Sequence, residues 1–126
     1  VSHVEGKYEK GLKNRSRVFG DRGEERRKEF EEVNPDFAKL ITENIFGDLY
    51  EREGMDDKTR EMIILAILCA LGKEKEFGFH VHAALNVGMT KEEIQEILMV
   101  CAFYAGVPNT VASTNSTLSV FKERNI

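Results

Sequence analysis

The feature that most constrains the fold is the run at residues 62–71, MIILAILCAL, in which ten successive residues are apolar. As a helix it has no polar face, so it cannot lie on a surface and must be enclosed on every side. Ten residues rise only about 15 Å as a helix, half of what the hydrocarbon core of a bilayer requires, so the run is not a membrane span. A chain of 126 residues has few side chains with which to surround such a helix. The expected solution is a central helix completed by neighbouring copies of the chain. Glu61 stands at the mouth of this helix.

The length and the 41% hydrophobic content fit one globular domain spanning residues 1–126. A net charge of −4, with no basic stripe interleaved with aromatics, argues against a nucleic-acid partner. The opening residues, VSHVEGKYEK, lack the apolar centre of a signal peptide and no later stretch is long enough to cross a membrane, so the expected compartment is the cytoplasm. Cys69 and Cys101 both fall in apolar helical runs, which suits reduced thiols acting as small hydrophobes better than a disulfide framework.

In chain order, residues 8–19 have helical character, and Gly20-Asp21-Arg22-Gly23 is expected to break it. The charged segment EERRKEFEEV at residues 24–33 reads as a solvated helix or an ordered loop anchored by Phe30. Asn34-Pro35 is a helix start, with Phe37, Leu40, Ile41, Ile45 and Leu49 on one face. After a polar loop, Asp56 or Asp57 can cap the central helix, which ends at Leu71-Gly72. A following helix over residues 73–87 carries the stripe Phe77, Val81, Ala84 and Leu85; His80 lies on it and His82 does not. Thr90 and Glu93 form a capping box for the next helix, whose second half, LMVCAFYA, is apolar nearly all round and so suggests contact with a partner subunit. Gly106-Val107-Pro108 separates it from a last helix rich in Ser, Thr and Asn, which helices do not favour. No segment alternates apolar and polar residues over strand lengths. The predicted class is all-α, with roughly six helices around a central antiparallel pair.

With these segments laid out, the chain resembles the carboxymuconolactone decarboxylase family over most of its length. The matching stretches are YEKG with an arginine and VFGD after it, PDFAKLITENIFGDLYEREGMDDKTREM, ALGKEKEFGFHVHAALNVGMTKEEIQEIL, and the FYAGVP turn. The resemblance implies a helical fold of the alkylhydroperoxidase D type, a ring-shaped homo-oligomer (a trimer or hexamer), and a site between subunits. It also implies a lyase that uses no cofactor and acts on a small carboxylated lactone such as gamma-carboxymuconolactone. The family's recurring site residues, a glutamate at the start of the central helix and a histidine on the next, match Glu61 and His80 here. The related alkylhydroperoxidase D branch, an antioxidant reductase, carries a CxxC pair just before the histidine, where this chain has Lys73 and Glu76. A thiol peroxidase needs a thiolate and a resolving thiol, so that branch is disfavoured. Decarboxylase-like sequences often carry tryptophans near the segment equivalent to FGDLY, whereas this chain has Phe46, Tyr50 and no Trp.

The chemistry asks for these residue types. Losing carbon dioxide leaves a carbanion whose charge, in the muconolactone, spreads onto the lactone carbonyl, so a donor at that oxygen lowers the barrier and a proton donor completes the product. His80 can serve in either role, and a buried Glu61 can orient it or supply the proton. Arg17 and Arg60 are the expected cations for the substrate carboxylates, because their local sequence matches the family's, with His82 a weaker candidate. On pattern alone Glu61 reads as an ordinary first-turn acid and His80 as a core histidine satisfied by one hydrogen bond; the resemblance reverses that order. Glu76 and His80, four apart on a helix, can share a metal, but the pair lacks further His or Cys ligands, so no metal site is expected. A non-catalytic helical oligomer is the third reading, and the retained Glu61 and His80 argue against it.

Overall fold

The computed structural model describes residues 5–126; the part of the signal-peptide reading that rests on residues 1–4 falls outside them. Among the described residues there are seven α-helices and no strand, and the chain divides into two compact units, one ending at Met55 and the other covering Asp56–Ile126. No helix among them is long and apolar enough to cross a membrane.

In the first unit, α1 (Lys7–Phe19) and α2 (Asp21–Val33) are separated by a single residue, Gly20, whose φ of 61° is open to glycine at little cost. Only this one residue of the expected four-residue break interrupts the helices. Gly23 lies inside α2 and is buried because α1 crosses there: a Cβ at this position would come within 2.6 Å of Arg15 Cγ. The charged segment is therefore a helix, which raises the count from six to seven. Arg27 holds it together through carboxylates of Glu24 and Glu31, each at 2.5 Å, one turn to either side. Phe30 does anchor it, edge-on to Phe37 at 5.3 Å between ring centroids.

Asn34 caps α3 (Pro35–Leu40), its side chain accepting from the Phe37 N–H at 3.2 Å. The helix then widens into a π-helix over Ile41–Leu49, where one α-helix was expected. Its packing face also differs. Phe37, Leu40, Ile45 and Leu49 point outward, and Ala38, Thr42, Phe46, Gly47 and Tyr50 are buried. Backbone proximity selects that face rather than bulk. A Cβ on Gly11 would sit 2.0 Å from the Thr42 carbonyl oxygen, and one on Gly47 would sit 2.3 Å from that of Lys7. Polar groups of α1 complete the contact. Asn14 donates to the Phe46 carbonyl at 2.8 Å, Arg15 to Thr42 Oγ1 at 3.0 Å while its guanidinium stacks on Phe46, and Arg17 to the Tyr50 carbonyl at 3.4 Å.

The second unit consists of α4 (Asp57–Ala70), α5 (Glu74–Asn86), α6 (Lys91–Tyr104) and α7 (Val107–Glu123). Asp56 caps α4, accepting from the Thr59 N–H at 2.8 Å, and the capping box of α6 forms between Thr90 and Glu93. Leu65 and Cys69 of α4 pack with Phe77, Val81 and Ala84 of α5, Ile94 and Cys101 of α6, and Val120 and Phe121 of α7. On the opposite side of α4, Ile63, Ile67 and Leu71 are exposed in the isolated chain, so its own residues enclose only half of the apolar run. The last helix forms despite its composition because its hydroxyls bond back into the preceding turn: Thr110 to the Gly106 carbonyl and Thr117 to that of Ser113. Its small side chains also let α5 approach, Gly78 lying directly against Ser116.

Candidate active site

Glu61 lies on α4, one turn in from the Asp56 cap, and is 0% exposed. Two residues, Gly72 with φ 70° and Lys73, separate Leu71 from the first turn of α5. His80 on α5 reaches back so that its Nδ1 lies 2.7 Å from Glu61 Oε1. A carboxylate oxygen only accepts, so against an ionised Glu61 the Nδ1–H is the donor of this contact. The imidazole side chain is 17% exposed, in contrast to the enclosed carboxylate, so the pair has a buried end and an accessible end. A charge buried this fully is tolerated only when paired and hydrogen-bonded, which makes the geometry of the two groups mutually dependent.

The remaining candidates are distributed more widely. Arg60 is buried on α4 beside Glu61 in sequence, with its guanidinium 3.2 Å from Asp57 Oδ1. Arg17 belongs to the unit ending at Met55, where it donates to Asn14 and to the Tyr50 carbonyl. His82, two residues from His80, points to the other side of α5. It is the more buried of the two histidines, with Nδ1 accepting from Arg124 at 3.2 Å and Nε2 lying 3.3 Å from Glu123. Arg124 also reaches Asn86 Oδ1 at 3.1 Å, so His82 helps hold the end of α7 to α5 and is not brought to the Glu61–His80 pair. No three His, Cys, Asp or Glu side chains converge as metal ligands among the described residues.

Sequence reasoning passed over Arg15 and Asn14, which are buried in the α1 contact with the π-helix. Burial, with Arg27 nearby, pushes the Arg15 guanidinium down to about 10. The available signal was their place in the turn just before Val18 and Phe19, on the buried side of α1. The thiols are also informative. Cys69 lies 3.8 Å from Thr110 Oγ1, and burial followed by the adjacent Cys69 raises the Cys101 thiol to about 11, so thiolate is scarce at neutral pH. A hollow of about 290 Å³ is lined by Met62, Ile97, Val100 and the aliphatic stems of Glu92, Glu93 and Glu96, and the Glu93 carboxylate is paired with Lys58 at 2.7 Å.

Comparison with known proteins adds to this geometry. The chain is 35% identical to 4-carboxymuconolactone decarboxylase of Acinetobacter baylyi over 123 residues, covering 97% of this chain and 92% of that protein. It is 34% identical over 73 residues to a nitrosuccinic acid decarboxylase of Metarhizium robertsii, covering 58% of this chain and 51% of that protein. An uncharacterized protein of Methanocaldococcus jannaschii is 27% identical over 86 residues, 68% of this chain and 79% of its own length. The carboxymuconolactone decarboxylase family model matches residues 35–117, a stretch that includes both Glu61 and His80, and the chain belongs to that family.

Proposed function

We propose that this chain is a cofactor-free decarboxylase of a small carboxylated substrate of the carboxymuconolactone kind, with Glu61 and His80 as its catalytic pair. The observation that carries the reading is the 2.7 Å contact between a fully buried carboxylate and a partly exposed imidazole. Glu61 fixes His80 through Nδ1, and Nε2 is the ring atom assigned to proton transfer with the substrate. Cleavage of the carbon–carboxylate bond releases carbon dioxide and leaves the bonding pair on carbon, delocalised onto the lactone carbonyl. His80, carrying a proton taken up from solvent on Nε2, donates from that atom first as a hydrogen bond to that oxygen and then as the proton to carbon, and uptake of a further proton from solvent resets the ring for the next turnover. Because the substrate supplies its own electron sink, the step requires no bound cofactor. Arg17 and Arg60 are the proposed cations for the substrate carboxylates.

The proposal extends to the assembly. The α4–α5 pair acts as an antiparallel centre of a single domain, and a homo-oligomer, trimer or hexamer, covers the exposed side of α4 in the cytoplasm. The names of the relatives in Acinetobacter and Metarhizium support decarboxylation as the reaction type. The antioxidant-reductase alternative is opposed by Lys73 and Glu76 at the CxxC positions, by the burial of both thiols, and by the Cys101 thiol being raised to about 11. The test is carbon dioxide release from gamma-carboxymuconolactone, followed by NMR of the product. Turnover that persists in chelator and falls at least a hundredfold in His80→Ala supports the reading, and absence of turnover by the wild type refutes the substrate assignment.

A further inference from the structure

Residues 97–121 contain no Asp, Glu, Lys, Arg or His, in a chain that is 32% charged. This stretch comprises the second half of α6, the corner at Gly106 and almost all of α7. Its solvent side is not merely neutral. Phe103 is 81% and Tyr104 92% exposed, and Val107 and Val111 stand beside them in the open. Two nearly bare aromatics at a helix corner, in a stretch of chain without charged residues and with Glu74 and Lys75 bordering it beyond Val111, have the composition of an apolar interface centre with a polar rim.

The same corner carries a complementary depression. A hollow of about 160 Å³ is lined by Ala102, Val107, Thr110, Val111, Thr114 and Asn115. An apolar cavity of about 150 Å³ holds a benzene ring, so one aromatic side chain fills a hollow of this size. The corner is also held in place before any partner arrives, because Asn109 donates to the Ala70 carbonyl at 3.2 Å and a φ of 98° at Gly106 sets the turn. Little ordering remains to be done on docking.

We infer that this corner is a self-complementary contact between two copies of the chain, in which the Phe103–Tyr104 knob of each copy enters the Ala102–Val111–Thr114 hollow of the other. Knob and hollow occur side by side on one chain, so a two-fold rotation places each over its counterpart and closes the contact. A partner of different sequence has no need to find both halves here. The inference rests on the homo-oligomer part of the proposed function and names the face that one of its interfaces uses.

The experiment is sedimentation equilibrium of the chain and four variants, with circular dichroism as the control for folding. Wild type is expected above the protomer mass of 14.3 kDa. Tyr104→Lys and Val111→Glu should each give a smaller assembly, with self-association weakened at least tenfold, because each places an unpaired charge in an apolar contact. The double variant should recover much of the loss, since the new lysine of one copy meets the new glutamate of the other. Val33→Lys, at a position 88% exposed in the other unit, should change nothing. If Tyr104→Lys loses helicity, Val111→Glu decides. Folded Tyr104→Lys and Val111→Glu proteins with the wild-type mass overturn the inference and leave the oligomer standing. A monomeric wild type overturns both, including the case in which the monomer instead binds lipid vesicles through this face.

Discussion

Replacing a glycine inside a helix by alanine ordinarily stabilises a protein by up to about 1 kcal/mol. At Gly11, in the interior of α1, the structure predicts the opposite sign. The added Cβ would lie 2.0 Å from the Thr42 carbonyl oxygen and 2.9 Å from its carbon, and these are backbone atoms of the π-helix that cannot rotate away. Relieving the clash requires the two segments to part by about 1 Å, which strains the Arg15–Thr42 hydrogen bond and loosens the packing of Phe46. Overpacking of this kind costs roughly 1–3 kcal/mol, and a backbone obstacle belongs at the upper end. Setting about 3 kcal/mol against the propensity gain of about 1 leaves a net loss of about 2 kcal/mol, or a fall in Tm of about 8 °C for a chain of this size. Urea and thermal denaturation followed by circular dichroism measure it. Gly54→Ala is the control, because no atom lies within 4 Å of a Cβ there. A Gly11→Ala protein as stable as wild type, or more stable, would refute the close approach and with it the account of why the face carrying Thr42, Phe46 and Gly47, rather than the one carrying Leu40, Ile45 and Leu49, packs on α1.

Other outcomes follow from the same coordinates. Thr90→Ala removes the capping hydroxyl of α6 and should cost about 1 kcal/mol in urea denaturation. Neither Cys69 nor Cys101 should react with a thiol reagent in the native protein at pH 7, and peroxide reduction with a dithiol should be absent; labelling complete within minutes contradicts this. Glu93, hydrogen-bonded to Lys58 and to the Thr90 N–H, and Asp56, bonded to Thr59, have carboxyls held below their usual values of 4.5 and 3.8. A lowered folded-state value means the stabilisation is present at neutral pH and is lost as pH falls through those usual values toward the lowered ones. An acid titration of stability should therefore decline in that range, by less in Lys58→Ala than in wild type.

Helix starts were the most legible part of the fold, because Asn34-Pro35, Asp56 and the Thr90–Glu93 box announce themselves through local hydrogen bonds between near neighbours in sequence. What the sequence did not disclose depends on other segments. The π-helix and its inward face are set by Gly11 and Gly47 meeting backbone across the unit, an effect with no periodic signature. Residues 24–33 read equally as a solvated helix or an ordered loop, and the choice of helix rests on Arg27 bridging Glu24 and Glu31 and on Gly23 packing against α1. At the candidate site, pattern alone puts His80 on the apolar stripe of its helix and His82 off it, whereas in the structure His82 is the more buried of the two. The resemblance singles out His80, and the coordinates add what separates them, a carboxylate partner for His80 and the α7 terminus for His82. Arg17 matches the family locally, but only the structure gives its contacts with Asn14 and Tyr50.

The central claim is that Glu61 and His80 act as one unit, and a double-mutant cycle on decarboxylation tests it most directly. Taking gamma-carboxymuconolactone as substrate, kcat/KM would be measured for wild type, Glu61→Gln, His80→Ala and the double variant, with mass and helicity checked for each. General acid–base groups contribute on the order of 10²–10⁴ in rate, and members of a unit are strongly non-additive. The account predicts a loss of at least a hundredfold in each single variant and little further loss when the two are combined. Losses that multiply would show two independent contributions, and single variants with wild-type kcat/KM would remove both residues from the reaction.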